Sequence, residues 1–176
     1  MATKVSIRGF SKLSSSIKEN LRKVLKDTRM IKELTEASQR DNKADVSLGK
    51  DPVTGKKFQA LSAKTIAQRK ALAKYNSTSN QFKASKSNLT FTGQLVKAIR
   101  SRAVLKGDTL NIFNYLLKAR KGYKNQVGGT SKTPNNIKIA GYLKDMGRNT
   151  LGYFIDTKRR KKITNIIRAA LRRRLR

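Results

Sequence analysis

The sequence predicts an α+β fold: a small antiparallel sheet packed with helices, with a long N-terminal helix and a basic C-terminal helix. Three observations carry this expectation. An apolar stripe at three- and four-residue steps opens the chain, an alternating pair of segments around Gly107-Asp108 forms its middle, and a second helical stripe ends it. At 176 residues the chain is expected to be one domain, spanning 1–176.

Residues 10–40 read as one amphipathic helix, because Phe10, Leu13, Ile17, Leu21, Val24, Leu25, Ile31 and Leu34 return to one face. Ser11 is its expected N-cap. Residues 41–57 read as a polar connection closed by a turn at Asp51-Pro52-Val53-Thr54-Gly55. A phosphate loop is excluded there. Five residues separate Gly49 from Gly55, and Lys57 stands where Ser or Thr must hold magnesium.

Ser62 is placed to cap a helix over 63–75. Residues 76–90 form a Ser-, Asn- and Lys-rich run read as a loop, and Thr92 precedes a helix over 93–102. The segments 103–106 and 109–113 alternate around Gly107-Asp108 and read as a hairpin. A helical turn is expected at 115–118 and a second polar, basic loop at 120–136. Residues 137–154 fit a strand or two separated by glycine turns at 141, 147 and 152.

From about Thr157 the chain reads as a helix. Projected at about 100° per residue, Ile163, Ile166, Ile167, Ala170 and Leu171 share one arc. Lys158, Lys161, Lys162, Arg168, Arg172 and Arg173 share the other, and Arg174 falls among the apolar residues, where the helix is expected to fray.

Charge narrows the function. The chain carries 42 Lys and Arg against 10 Asp and Glu, a formal +32. Free soluble domains carry a net charge of roughly 2 to 8, and a larger excess repels itself unless a counter-charge is supplied. The excess is uneven: residues 1–51 hold 12 basic and 7 acidic residues, while residues 52–176 hold 30 basic and 3 acidic ones. The expected partner is a polyanion, and the expected polyanion-facing residues are Lys158, Arg159, Arg160, Lys161, Lys162, Arg168, Arg172, Arg173 and Arg176.

The chain has no Cys and no His, which removes a thiolate nucleophile, a Cys-ligated metal and the usual neutral-pH base. A nuclease would need clustered carboxylates for magnesium, but Asp108, Asp145 and Asp156 have no paired spacing. No enzyme activity, cofactor or metal is therefore expected. The opening residues have no apolar core of a signal peptide, and no apolar run approaches the ~18 residues of a membrane span. The last helix, without Trp or Phe on its apolar arc, is not expected to lie on a membrane.

The segment Asp51-Pro-Val-Thr-Gly-Lys-Lys-Phe-Gln-Ala-Leu-Ser-Ala-Lys-Thr-Ile-Ala-Gln-Arg-Lys70 resembles a segment of the phage virion morphogenesis, or tail-completion, proteins. Leu89-Thr-Phe-Thr-Gly-Gln-Leu95-Val-Lys-Ala-Ile99 is similar to a helix start of the same family, and Leu151-Gly-Tyr-Phe154 to its aromatic-glycine turn before a final helix. The motif positions are Asp51, Gly55, Phe58, Leu61, Thr65, Lys70, Leu89, Thr92, Gly93 and Leu95, which are expected to carry fold rather than chemistry. Gln126-Val-Gly-Gly lacks the aromatic and His that often precede the family's loop glycine.

The resemblance implies a virion protein, assembled in the host cytoplasm, that completes a phage tail and joins it to the head. It implies a homo-oligomeric ring, expected to be a hexamer, that touches other neck, connector and tail proteins and surrounds double-stranded DNA without reading its sequence. The alternative reading is a sequence-independent nucleic-acid-binding protein of ribosomal or nucleoid type.

Overall fold

A computed structural model describes residues 2–6, 15–73, 94–118 and 136–174. Its order is β1 (Ala2–Ser6), α1 (Ser15–Leu25), α2 (Thr28–Ser47), α3 (Ala63–Ala73), α4 (Gln94–Ala98), β2 (Ile99–Lys106), β3 (Thr109–Leu116), α5 (Asn136–Asp145) and α6 (Thr157–Arg174). The fold is α+β. The antiparallel sheet runs β1-β3-β2, with β1 an edge strand that the hydrophobic pattern did not announce.

The expected single N-terminal helix is two helices. Asp27 takes an extended backbone, φ −64° and ψ 108°, and its carboxylate accepts from the Met30 N–H at 2.7 Å. The side chain thus starts a new helix where a carboxylate cap is favoured. The second helix then runs through the expected 41–57 connection as far as Ser47, because Asn42, Asp45 and Val46 are buried against the rest of the fold. Ser11 and the first apolar positions of the stripe lie outside the described residues.

Three other expectations change. The helix after Thr92 is only Gln94–Ala98, and the chain turns to strand at Ile99, whose β-branched side chain is fully buried. Residues 115 and 116 continue β3, because Arg100 and Ile99 pair with them in register, instead of starting a helical turn. Residues 136–145 are α5, not strands, and Ile139, Ala140 and Leu143 set its inner face against the core. Of the expected loop at 120–136 only Asn136 is described, and it opens α5; the rest lies outside the described residues. The 76–90 loop lies outside the described residues. The hairpin, the Ser62 cap (its hydroxyl accepts from the Thr65 N–H at 3.2 Å) and the final helix stand as expected.

The core has two parts. One gathers Val24, Leu25, Met30, Leu34, Leu110, Ile112 and Ala170, with Ile163, Ile166, Ile167 and Leu171 of α6 packed against them. The other gathers Val46, Phe58, Leu95, Ala98, Ile99 and Leu116. Between them runs a polar seam. Asn42 donates to the Thr150 carbonyl at 3.1 Å and accepts from the Gly152 N–H at 3.0 Å, and Asn114 donates to the Gly152 carbonyl at 2.9 Å. These bonds pin the segment that leads into α6, so buried polar groups are satisfied where a loop crosses the interior.

Candidate nucleic-acid interface

The final helix is positioned by its cap and by α2. Asp156 accepts from the Arg159 N–H at 2.7 Å, which starts α6. Its apolar arc then docks on α1 and α2, bringing the inner cations over three acids. Arg159 donates to Asp45 at 2.6 Å, lies 3.9 Å from Asp41 and donates to the Phe154 carbonyl at 2.8 Å. Lys162 lies 3.2 Å from Asp41. Arg173 and Arg174 reach Asp27 at 3.3 Å and 3.1 Å.

The environment of Arg159 is enclosed. Its side chain is 14% exposed and its guanidinium carbon stands 5.4 Å from the centre of the Tyr153 ring. Burial works against its charge, but the hydrogen bond and charge of Asp45, with the charge of Asp41, hold its pKa above the ordinary value. Tyr153 donates to Asp41 at 2.9 Å, and burial followed by the Asp41 charge pushes its phenol pKa well up. The Met30 N–H holds the Asp27 carboxyl below its usual range, against its burial and with help from Arg174 and Arg173.

This arrangement splits the expected basic face. Arg159 is a half-buried counter-ion whose guanidinium is turned inward to the acids of α2. Lys162 and Arg173 turn toward the same acids, and Arg174 binds Asp27 while the helix continues instead of fraying. Lys158, Arg160, Lys161, Arg168 and Arg172 are exposed and have no carboxylate within 4 Å among the described residues. Arg176 lies outside the described residues. Lys158, Lys161, Asn165, Arg168 and Arg172 follow three- and four-residue steps, so they form one outward stripe. At about 1.5 Å per residue the stripe is about 21 Å long.

The partners of α6 had a sequence signal that the charge count did not use. Asp41 and Asp45 stand one turn apart on α2. Like charges at that spacing destabilise a helix unless something cationic is brought to them. All ten acids lie among the described residues, and six have a basic partner within 4 Å among those residues. Acidic charge is therefore largely used inside the fold.

Of the motif positions, Asp51, Gly55, Phe58 and Leu95 sit in a turn or in the core. Asp51 is buried; its carboxylate accepts from the Val53 and Thr54 N–H groups at 2.7 and 3.2 Å and from Asn149 at 2.8 Å. Gly55 closes this turn at φ +72°, and a Cβ there would meet the Phe154 ring at 2.6 Å. Phe58 and Leu95 are buried in the second core cluster, Leu61 and Thr65 are half-buried, and Lys70 is exposed. Leu89, Thr92 and Gly93 lie outside the described residues.

Among the described residues no group of three or more acids gathers as a cation cage, and no helix is long and apolar enough to cross a membrane. No protein-family model, curated protein or solved structure matches the chain.

Proposed function

We propose that the chain is a non-catalytic, structural component of a tailed-phage neck or tail end, forming a ring that completes the tail and joins it to the head around the DNA channel. The observation that carries the polyanion-facing half of this reading is the division of α6. Four of its cations are paired with Asp27, Asp41 and Asp45, while Lys158, Lys161, Arg168 and Arg172 form an outward stripe with no acid within 4 Å among the described residues. A duplex presents about one negative charge per 1.7 Å of its axis, so a rigid stripe of cations meets phosphates wherever it lies along the backbone. Charge alone is needed, which suits a surface that holds DNA of any sequence.

The ring follows from the family resemblance and from the need for a heterologous contact between copies. Native mass spectrometry and negative-stain images of the protein with duplex DNA test it. Closed rings are expected, sixfold if the family pattern holds. A strictly monomeric protein that still binds DNA would favour the ribosomal or nucleoid-type reading instead.

A further inference from the structure

The β2–β3 hairpin has two unlike faces. Ile99, Ala103 and Leu105 with Leu110, Ile112 and Leu116 turn to the core. The opposite face carries Arg100, Arg102, Val104 and Lys106, which stand in register against Tyr115, Phe113, Asn111 and Thr109. It has no acidic residue, and Asp108 in the turn is held by Arg22 of α1 at 2.8 Å. Tyr115 is 39% and Val104 41% exposed. The Arg102 guanidinium carbon lies 5.9 Å from the centres of both the Phe113 and the Tyr115 rings. Arg100 turns its guanidinium back to the Lys97 and Ile99 carbonyls, which leaves Arg102 and Lys106 as the outward cations of this face.

We propose that this face binds single-stranded nucleic acid, with Tyr115 and the Arg102 plane stacking on a base and Lys106 and Arg102 meeting phosphates. The occupant follows from the chemistry of the face. The exposed Tyr115 ring gains from a partner that offers a free π-face, and cations without acids gain from one that brings negative charge. A single strand brings both at every nucleotide, and any base serves. In a duplex the base faces are hidden in the stack, so the rings have nothing to stack on. Strands that present aromatic residues to unstacked bases are a recurring solution to this recognition problem. The inference does not rest on the duplex-facing reading of α6, which lies on another element.

The test uses the full chain and measures fluorescence anisotropy with labelled oligothymidylate and with a duplex of equal length. Tyr115→Leu keeps apolar bulk but removes the ring. It is expected to weaken oligothymidylate binding about tenfold, in the range of one lost base stack, while duplex binding stays unchanged. Tyr115→Phe should bind like the parent. Should Tyr115→Leu not fold, Arg102→Gln at an exposed position asks the same question and should also weaken oligothymidylate selectively. Unchanged oligothymidylate affinity in the folded variants overturns the proposal, as does an equal loss for both ligands. An altered subunit mass with unaltered DNA binding also overturns it, because the face would then be covered by a second copy of the chain.

Discussion

Arg159 of α6 donates to Asp45 of α2 at 2.6 Å, with 14% of one side chain and 8% of the other exposed. The second Asp45 oxygen, Oδ2, is buried without a hydrogen-bond partner. The pair is therefore a tether between the two longest helices, and Arg159 holds the only cation within 4 Å of that carboxylate among the described residues.

Removing one side of such a pair leaves a buried charge. Arg159→Met is predicted to lower stability by about 3–5 kcal/mol. The double variant Arg159→Met with Asp45→Leu should recover most of that loss, because apolar replacements of a buried pair are often neutral or better. Chemical denaturation of the two variants beside the parent checks this. A surface role for Arg159 would instead show as little stability change and weaker DNA binding.

The Asp27 carboxyl sets a pH dependence. Its folded pKa is lowered below the unfolded value of about 3.9. Its contribution is thus present above that value and disappears as pH falls through the folded pKa. Asp27→Asn keeps an acceptor at the helix start but loses attraction to Arg173 and Arg174. The variant should melt below the parent at neutral pH, and the gap should close as pH drops below about 4. A gap that is constant with pH would mean that the charge adds nothing.

Gly55 tests the turn of the family-like segment. Its φ of +72° is a left-handed conformation, and an added Cβ would meet Phe154 at 2.6 Å. Phe154 is 39% exposed, and its ring must shift to admit the new methyl. The left-handed backbone alone costs Gly55→Ala about 1–3 kcal/mol. A thermal melt should show that loss with DNA affinity unchanged in the folded protein.

Much of the architecture was readable because it follows from short-range pattern. The hairpin alternates, Ser62 sits one step before its helix, and the apolar arc of α6 docks as its spacing requires. What escaped depends on partners far along the chain. The break at Asp27 falls where the stripe skips a turn, but Val24 and Ile31 stand seven residues apart on one helical face, so periodicity alone continues the helix across it. Residues 136–145 hold Gly141 and mixed polarity, and only packing on the second cluster makes them helical. On α6, a helical projection separates charged from apolar residues. It does not separate cations that meet solvent from those that meet Asp41 and Asp45, 114–121 residues away in sequence.

The polyanion-facing stripe is tested most directly by duplex binding across a salt series, with the parent beside Arg168→Gln/Arg172→Gln. Both arginines are exposed and have no carboxylate partner among the described residues, so the double variant should melt like the parent or slightly higher. Log K against log salt should fall steeply for the parent, alike for random and poly(dA·dT) duplexes. In the variant its slope should shrink by about 2, at ~0.9 per phosphate contact. An unchanged slope and affinity in the variant, a strong preference for one sequence, or no binding at low salt would contradict the account.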